Sequence, residues 1–227
     1  MRQLILLLIY FIPFVVSAQT AEEILKGVTS KTDKVHDYSA SVVIRSDIPL
    51  IKILPVRAKV YFKQKDKFRI ISKSIAVLPK QGLSDLTKLL SNPGSYTAIL
   101  NGTETIRNRK ASIVILLPVS DTSDLTLAKL WVDTERNLIL KSQITTRSNG
   151  TLLLEYTYTD QEQYGLPDSM IVTVDVKKFK VPKGVATDIN KNSQDDNTPA
   201  KKSGKIFIRF SEYVINKGIA DSVFEGK

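Results

Sequence analysis

The chain has 227 residues, of which 42% are hydrophobic and 25% are charged, and its formal net charge at pH 7 is +10. This balance is typical of a folded globular chain and excludes an intrinsically disordered one. Because the chain contains no cysteine, disulfide frameworks, thiolate nucleophiles and Cys-bearing metal sites are excluded. The single histidine, His36, excludes metal sites built from several imidazoles and leaves one possible imidazole base.

The first 18 residues have the layout of a secretory signal peptide. A basic start at Arg2 precedes an apolar run from Leu4 to Val16, and the small residues Ser17 and Ala18 offer a cleavage site. A membrane anchor is the alternative, but the run of about 13 residues is shorter than the ~20 that a bilayer span needs. We therefore expect cleavage after Ala18, export to the periplasm and a single domain over residues 19–227.

One amphipathic helix is predicted to open this domain. Thr20 and Glu23 have the spacing of a capping box, in which each residue satisfies a backbone amide of the other. Apolar residues then recur at helical spacing to about Asp37. The apolar stripe of this helix needs a sheet to pack on.

Strand patterns follow the helix directly. Residues 38–45 and 56–63 alternate between apolar and polar side chains, and residues 68–71 begin a return strand after a turn. The segment 48–55 has a proline near each end, which indicates an edge strand or an apolar loop.

A short leucine pattern lies between the strands, behind a possible cap at Ser84. A helix of two turns at most is too short to be stable alone in water, so it must rest on apolar surface. It is either a connection packed on the core or a movable lid. The candidate lid residues are Leu83, Leu86, Leu89 and Leu90.

From Tyr96 to Val176 the pattern is almost entirely that of strands, with hairpin turns predicted at Asn101-Gly102 and at residues 148–150. Short links require antiparallel neighbours, and a sheet of about ten strands curls or closes. We therefore expect an α+β, mostly β fold in which helices cover a curled antiparallel sheet. Residues 183–204 are predicted to be a flexible polar loop before a last strand. The lysines from Lys177 to Lys205 indicate either a solvated surface or a site for anionic headgroups.

No pattern for catalysis is evident. His36 is adjacent in sequence to Asp37, which does not orient an imidazole for nucleophilic catalysis, and the chain has no phosphate-binding glycine loop. Trp131, Tyr156 and Tyr158 lie in predicted strands, where aromatic side chains belong to the core more often than to a base-stacking surface. The sequence predicts a protein that is not an enzyme and has no cofactor, no metal site and no nucleic-acid partner.

Several short motifs follow the signal peptide and the helix in a fixed order, and their order resembles that of a known family. The motifs occupy residues 60–63, 67–70, 100–103, 129–133, 138–141 and 216–224. The chain resembles the periplasmic lipoprotein carriers, the LolA/LolB-like family, with its outer-membrane lipoprotein-sorting and RseB/MucB-type relatives.

The resemblance implies an unclosed antiparallel β-barrel in which the first helix and a short lid helix cover an apolar cavity. It implies a monomeric, non-enzymatic carrier that binds acylated lipoproteins or lipids and exchanges them with handover proteins of the inner and outer membranes. Each buried methylene stabilises such a complex by about 0.8 kcal/mol, so a lid that exchanges one apolar contact for another would assist release. The candidate cavity residues are Val42, Ile44, Val60, Phe62, Phe68, Ile70, Leu140, Leu154 and Tyr156.

Two features favour an alternative within the same resemblance. The hairpin arginine that fastens the lid of the carrier falls at Gln64, which is neutral, and the segment around Trp131 is similar to that of the RseB/MucB-type relatives. The alternative is an envelope sensor module that binds a partner protein and responds to lipid or lipoprotein signals.

Overall fold

The computed structural model describes residues 19–49, 54–64, 67–72, 86–148, 150–175 and 203–225. The predicted signal peptide, Leu83 and residues 183–202 of the predicted loop lie outside the described residues. Residues 203 and 204, which were also assigned to that loop, are the first residues of the last strand.

The first helix, α1 (Ala21–Thr32), begins with the predicted capping box. The backbone N–H of Glu23 donates to Thr20 Oγ1 at 3.2 Å, and the N–H of Thr20 donates to Glu23 Oε2 at 2.9 Å. The helix ends at Thr32, earlier than its spacing predicted, because the chain must turn into the first strand at Asp37. No helix in the described part of the chain is long and apolar enough to cross a membrane.

Within the described residues, ten strands form one sheet in which every neighbouring pair is antiparallel. The strands are β1 (Asp37–Asp47), β2 (Val56–Lys63), β3 (Lys67–Ser72), β4 (Tyr96–Ile106), β5 (Arg109–Pro118), β6 (Leu125–Asp133), β7 (Leu138–Thr146), β8 (Gly150–Thr157), β9 (Ser169–Asp175) and β10 (Ser203–Ile215). Their order across the sheet is β3-β2-β1-β10-β9-β8-β7-β6-β5-β4. The predicted curled, unclosed antiparallel sheet is confirmed, with β3 and β4 as its two edges.

In the part of the chain that the structure describes, three short 3₁₀ helices lie outside the sheet. They are Pro93–Ser95 before β4, Glu162–Tyr164 between β8 and β9, and Asp221–Val223 after β10. Residues 86–90 are α-helical, at the position of the predicted short helix.

The prediction of a hairpin turn at Asn101-Gly102 is wrong. These residues lie inside β4, where the pairing register shifts between Leu100 and Thr103. Gly102 has a φ of 80°, which a β-bulge uses as readily as a turn does. The chain reverses later, at Arg107 and Asn108, which have φ values of 48° and 63°.

One face of the sheet, here called the inner face, carries most of the apolar core. It contains Val42, Ile44, Val114, Leu116, Leu130, Ile144, Leu152, Leu154, Val172, Val174, Ile206 and Ile208, and the apolar side of α1 packs on it. A second, smaller cluster contains Ala111, Ile113, Trp131, Leu138 and Leu140. The opposite face of the sheet is called the outer face below.

Candidate functional site

Four of the nine predicted cavity residues are buried together in the inner-face core. They are Val42, Ile44, Val60 and Leu154. Pairing places Val42 opposite Ala58, and Ala40 opposite Val60, so the apolar row continues from β1 into β2. At these four positions, the alternation of apolar and polar residues along the strands identified side chains that share the inner face.

Three further predicted residues lie at the margin of this core. Ile70 and Tyr156 are half-buried against it. Phe62 is half-buried and stacks on Tyr38, with ring centroids 5.3 Å apart. These positions form the border of the apolar face.

The structure separates the last two predicted residues from the others. Leu140 packs beside Trp131 in the second cluster. Trp131 pairs with Lys141 but Val132 pairs with Ile139, so a bulge at Leu140 breaks the simple alternation of β7. Phe68 is 54% exposed because it lies on the edge strand β3. That these nine residues line a cavity stays a prediction.

The short helix brings three of the four candidate lid residues to the inner face. Leu86 and Leu89 are buried within the same core as α1, and Leu90 is half-buried against it. The fourth, Leu83, lies outside the described residues. Both interpretations of the short helix, as a connection packed on the core and as a closed lid, require this arrangement.

Helix α1 packs against the same face. Ile24, Leu25 and Val28 are buried in the core. A Cβ added to Gly27 would collide with the side chain of Asn137 in the β6–β7 turn, so this glycine permits the close approach of α1 to the sheet. The helix therefore covers part of the inner face and contacts the β6–β7 turn.

A group of aromatic side chains, which sequence reasoning did not connect, lies beside Phe62. Tyr38 is 5.7 Å from Tyr213 between ring centroids, and Tyr213 stacks on Phe210 at 6.1 Å. Tyr213 donates its hydroxyl to the carbonyl of Pro167 at 2.8 Å. Burial raises the pKa of Tyr38 from 10.0 to about 12, so its hydroxyl stays neutral well into the alkaline range. A neutral aromatic border is compatible with an apolar ligand.

Two hydroxyl groups face each other within the inner face. Ser142 is fully buried, and its Oγ lies 3.0 Å from Tyr156 Oη. Burial raises the pKa of Tyr156 to about 12, against the smaller lowering effect of the Ser142 hydrogen bond. The pair satisfies its own hydrogen bonds, so it adds no charge to the apolar face.

A polar cleft of about 470 Å³ lies at the β4–β5 and β6–β7 turns. It is lined by Arg107, Asn108, Arg109, Lys110, Asp133, Glu135 and Arg136. Arg109 lies 3.6 Å from Asp133, and Arg136 lies 3.3 Å from Glu162, so carboxylates already pair with two of its arginines. Arg107 donates to the carbonyl of Tyr156 and the hydroxyl of Thr157. The three arginines of the cleft therefore contact neighbouring turns and strands.

Comparisons with known proteins found similar structures but no match to a family model or a curated protein. A LolA superfamily protein from Nitrosomonas europaea is similar in structure, with a TM-score of 0.59 at 14% identity over 91% of this chain and 98% of its own.

Two other solved structures are similar to the same degree. A DUF1329 family protein from Desulfovibrio piger has a TM-score of 0.58 at 12% identity, covering 91% of this chain and 98% of its own. A domain from Vibrio parahaemolyticus whose name refers to outer membrane lipoprotein sorting has a TM-score of 0.58 at 10% identity, covering 90% and 97%. At these identities the comparisons establish the fold, and the LolA-like resemblance is confirmed at that level.

Proposed function

We propose that the protein is a periplasmic, non-enzymatic carrier that binds acyl chains of lipoproteins or lipids on the inner face of its sheet, beneath its helices. The observation that carries this proposal is the packing of Leu86 and Leu89, from a short helix, onto the same apolar face as α1. The LolA superfamily structure and the lipoprotein-sorting domain support it through their shared fold.

The energetics of the short helix suit a reversible carrier. An acyl chain gains about 0.8 kcal/mol for each methylene it buries, so a long chain in a preformed hollow would leave very slowly. A helix that packs on the inner face when no ligand is bound must give up its own apolar contacts to admit the chain. The ligand then gains the difference between two burials, which weakens binding enough for handover to membrane partners.

The experiment is a titration of the purified full chain with a fluorescent fatty acid. The test variant replaces Leu86 and Leu89 by alanine, which weakens the helix contact but leaves the sheet intact. If the helix competes with the ligand, this variant binds the fatty acid more tightly than the unaltered protein. Leu117→Ala, at an exposed leucine of β5, is the control and leaves the affinity unchanged.

If the short helix is only a connection packed on the core, the expected result is different. In that case neither protein binds the fatty acid, and the Leu86 and Leu89 changes lower stability alone. The lipoprotein cargo and the handover proteins belong to the same proposal and depend on acyl binding being found first.

A further inference from the structure

The outer face of three neighbouring strands is rich in exposed cations. Val42 and Ile44 lie in the inner-face core, so the alternate residues of β1 point to the other side of the sheet. The same alternation holds for β2 and β10. The basic face consists of Arg45, Arg57, Lys59, Lys205 and Arg209, all exposed.

The register brings these cations into one compact area. Val43 pairs with Arg57 on one side and with Arg209 on the other. Two strand spacings therefore separate these guanidinium-bearing residues, which is about 10 Å. Arg45 is two residues further along β1, and Lys59 is two residues further along β2.

The positive charge of the basic face is largely unopposed. Its carboxylates are Asp47, opposite Lys205, and Glu212, which accepts a hydrogen bond from Ser41 Oγ at 2.6 Å. Asp175 of β9, opposite Ser203, is a third carboxylate beside this area. Five cations thus face three carboxylates, and within the described part of the chain none of the five forms an ion pair. These five cations therefore add no ion pair to the fold, and they stay accessible to an anionic partner.

Exposed apolar side chains lie among these cations. Phe207 pairs with Arg45 and is 38% exposed, and Ile71 pairs with Lys59 and is 47% exposed. A bilayer surface offers anionic headgroups above an apolar layer, so cations next to an aromatic ring match both parts of it. An acidic protein surface would match the charge alone.

We propose that the basic face docks the protein onto the surface of an anionic phospholipid bilayer. This site is separate from the inner face and does not depend on acyl binding. It also differs from the lysine-rich segment that the sequence offered for headgroups, because of that segment only Lys205 belongs to the basic face. Docking through the outer face would leave the inner face and its helices directed away from the membrane surface.

The test uses the full chain and vesicles of phosphatidylcholine, with and without roughly 30% phosphatidylglycerol, in a sedimentation assay. The test variant carries Arg45→Gln, Arg57→Gln and Arg209→Gln. The matched control carries Lys34→Gln, Lys110→Gln and Arg147→Gln, three exposed cations elsewhere, so both variants lose the same charge. Circular dichroism confirms that both remain folded.

Each cation near an anionic surface contributes about five-fold to partitioning, so the test variant binds the anionic vesicles about 100-fold more weakly. The control keeps at least a tenth of the unaltered protein's partition coefficient, and Phe207→Ser lowers binding without a change of charge. Binding of the unaltered protein also falls as salt rises from 0.1 M towards ~1 M, because the screening length shortens.

Three results would overturn the proposal. Equal losses in the test and control variants would mean that net charge, and not this face, attracts the protein. Absence of binding to the anionic vesicles would exclude a bilayer partner. Binding to polyglutamate that depends on the basic face, without vesicle binding, would assign the face to an acidic protein.

Discussion

The side-chain amide of Gln64 joins the β2–β3 turn to the junction between α1 and β1. Its Oε1 lies 3.1 Å from His36 Nδ1, and its Nε2 donates to the carbonyls of Asp33 and Val35, each at 3.1 Å. Because an amide oxygen can only accept, Nδ1 of His36 carries the hydrogen in this arrangement. Gln64 therefore fastens the end of the first helix to the β2–β3 turn.

Replacing Gln64 by alanine removes all three of these hydrogen bonds. Since the residue is exposed, water partly replaces them, and we expect the free energy of unfolding to fall by about 1 kcal/mol. Thermal unfolding would show this as a decrease in Tm of about 2–4 °C for a chain of this size. Gln163→Ala, at another exposed glutamine, is the control; equal Tm values for both variants would contradict the role given to Gln64.

Glu104 on β4 anchors the single tryptophan across β5. Trp131 is 3% exposed, and its Nε1 donates to Glu104 Oε2 at 2.6 Å, while Lys129 and Lys141 lie 4.7 Å and 4.3 Å from its ring centroid. Glu104→Ala leaves the indole N–H without this acceptor, so we expect a loss of about 1–3 kcal/mol in urea unfolding followed by tryptophan fluorescence. Glu135→Ala, an exposed glutamate, should change the midpoint little. An unchanged midpoint in the Glu104 variant would show that water replaces the carboxylate.

Gly204 is required by the close approach of β10 to Ile48. A Cβ at this position would lie 2.9 Å from Ile48 Cγ1 and 3.2 Å from Ile48 Cα, and the latter is backbone that cannot rotate away. Gly204→Ala should therefore destabilise the protein by about 1–3 kcal/mol through overpacking. Gly94→Ala, whose nearest contact would be Asn92 Oδ1 at 3.8 Å, is the control in the same denaturation series. Equal stability of the two variants would contradict this packing.

Two half-buried tyrosines predict a loss of stability at alkaline pH. Burial raises the pKa of Tyr38 and Tyr156 from 10.0 to about 12, so between these values the unfolded chain releases protons that the folded chain keeps. The unfolded state is then favoured, and stability falls as pH rises from 10 to 12. Tyr156→Phe should lower stability at pH 7 by about 1 kcal/mol, through the lost Ser142 hydrogen bond, but should reduce the alkaline decrease. A decrease of unchanged size would contradict the assignment to Tyr156.

The sequence predicts local features of this fold more securely than distant ones. The capping box of Thr20 and Glu23 depends on four consecutive residues, and it forms as predicted. The Asn101-Gly102 signal is equally local, yet a bulge and a turn use the same positive φ, and the pairing of β4 with β5 decides between them. No local pattern indicates that β1 pairs with β10, from the far end of the chain.

The same contrast between local and distant features applies to the candidate site. Alternation correctly grouped Val42, Ile44, Val60 and Leu154, because their strands are regular. It failed at Leu140, where a bulge set by the register of β6 against β7 breaks the period of two. The basic face was missed because its cations come from three strands whose adjacency depends on the β1–β10 pairing.

The most direct measurement of the central claim is native mass spectrometry of the protein purified from its own host. If the inner face carries acyl chains, part of the protein should appear with the added mass of an acylated molecule, which organic extraction removes and a supplied fatty acid restores. Protein that repeatedly shows its polypeptide mass alone, and that takes up no fatty acid after extraction, would contradict the account.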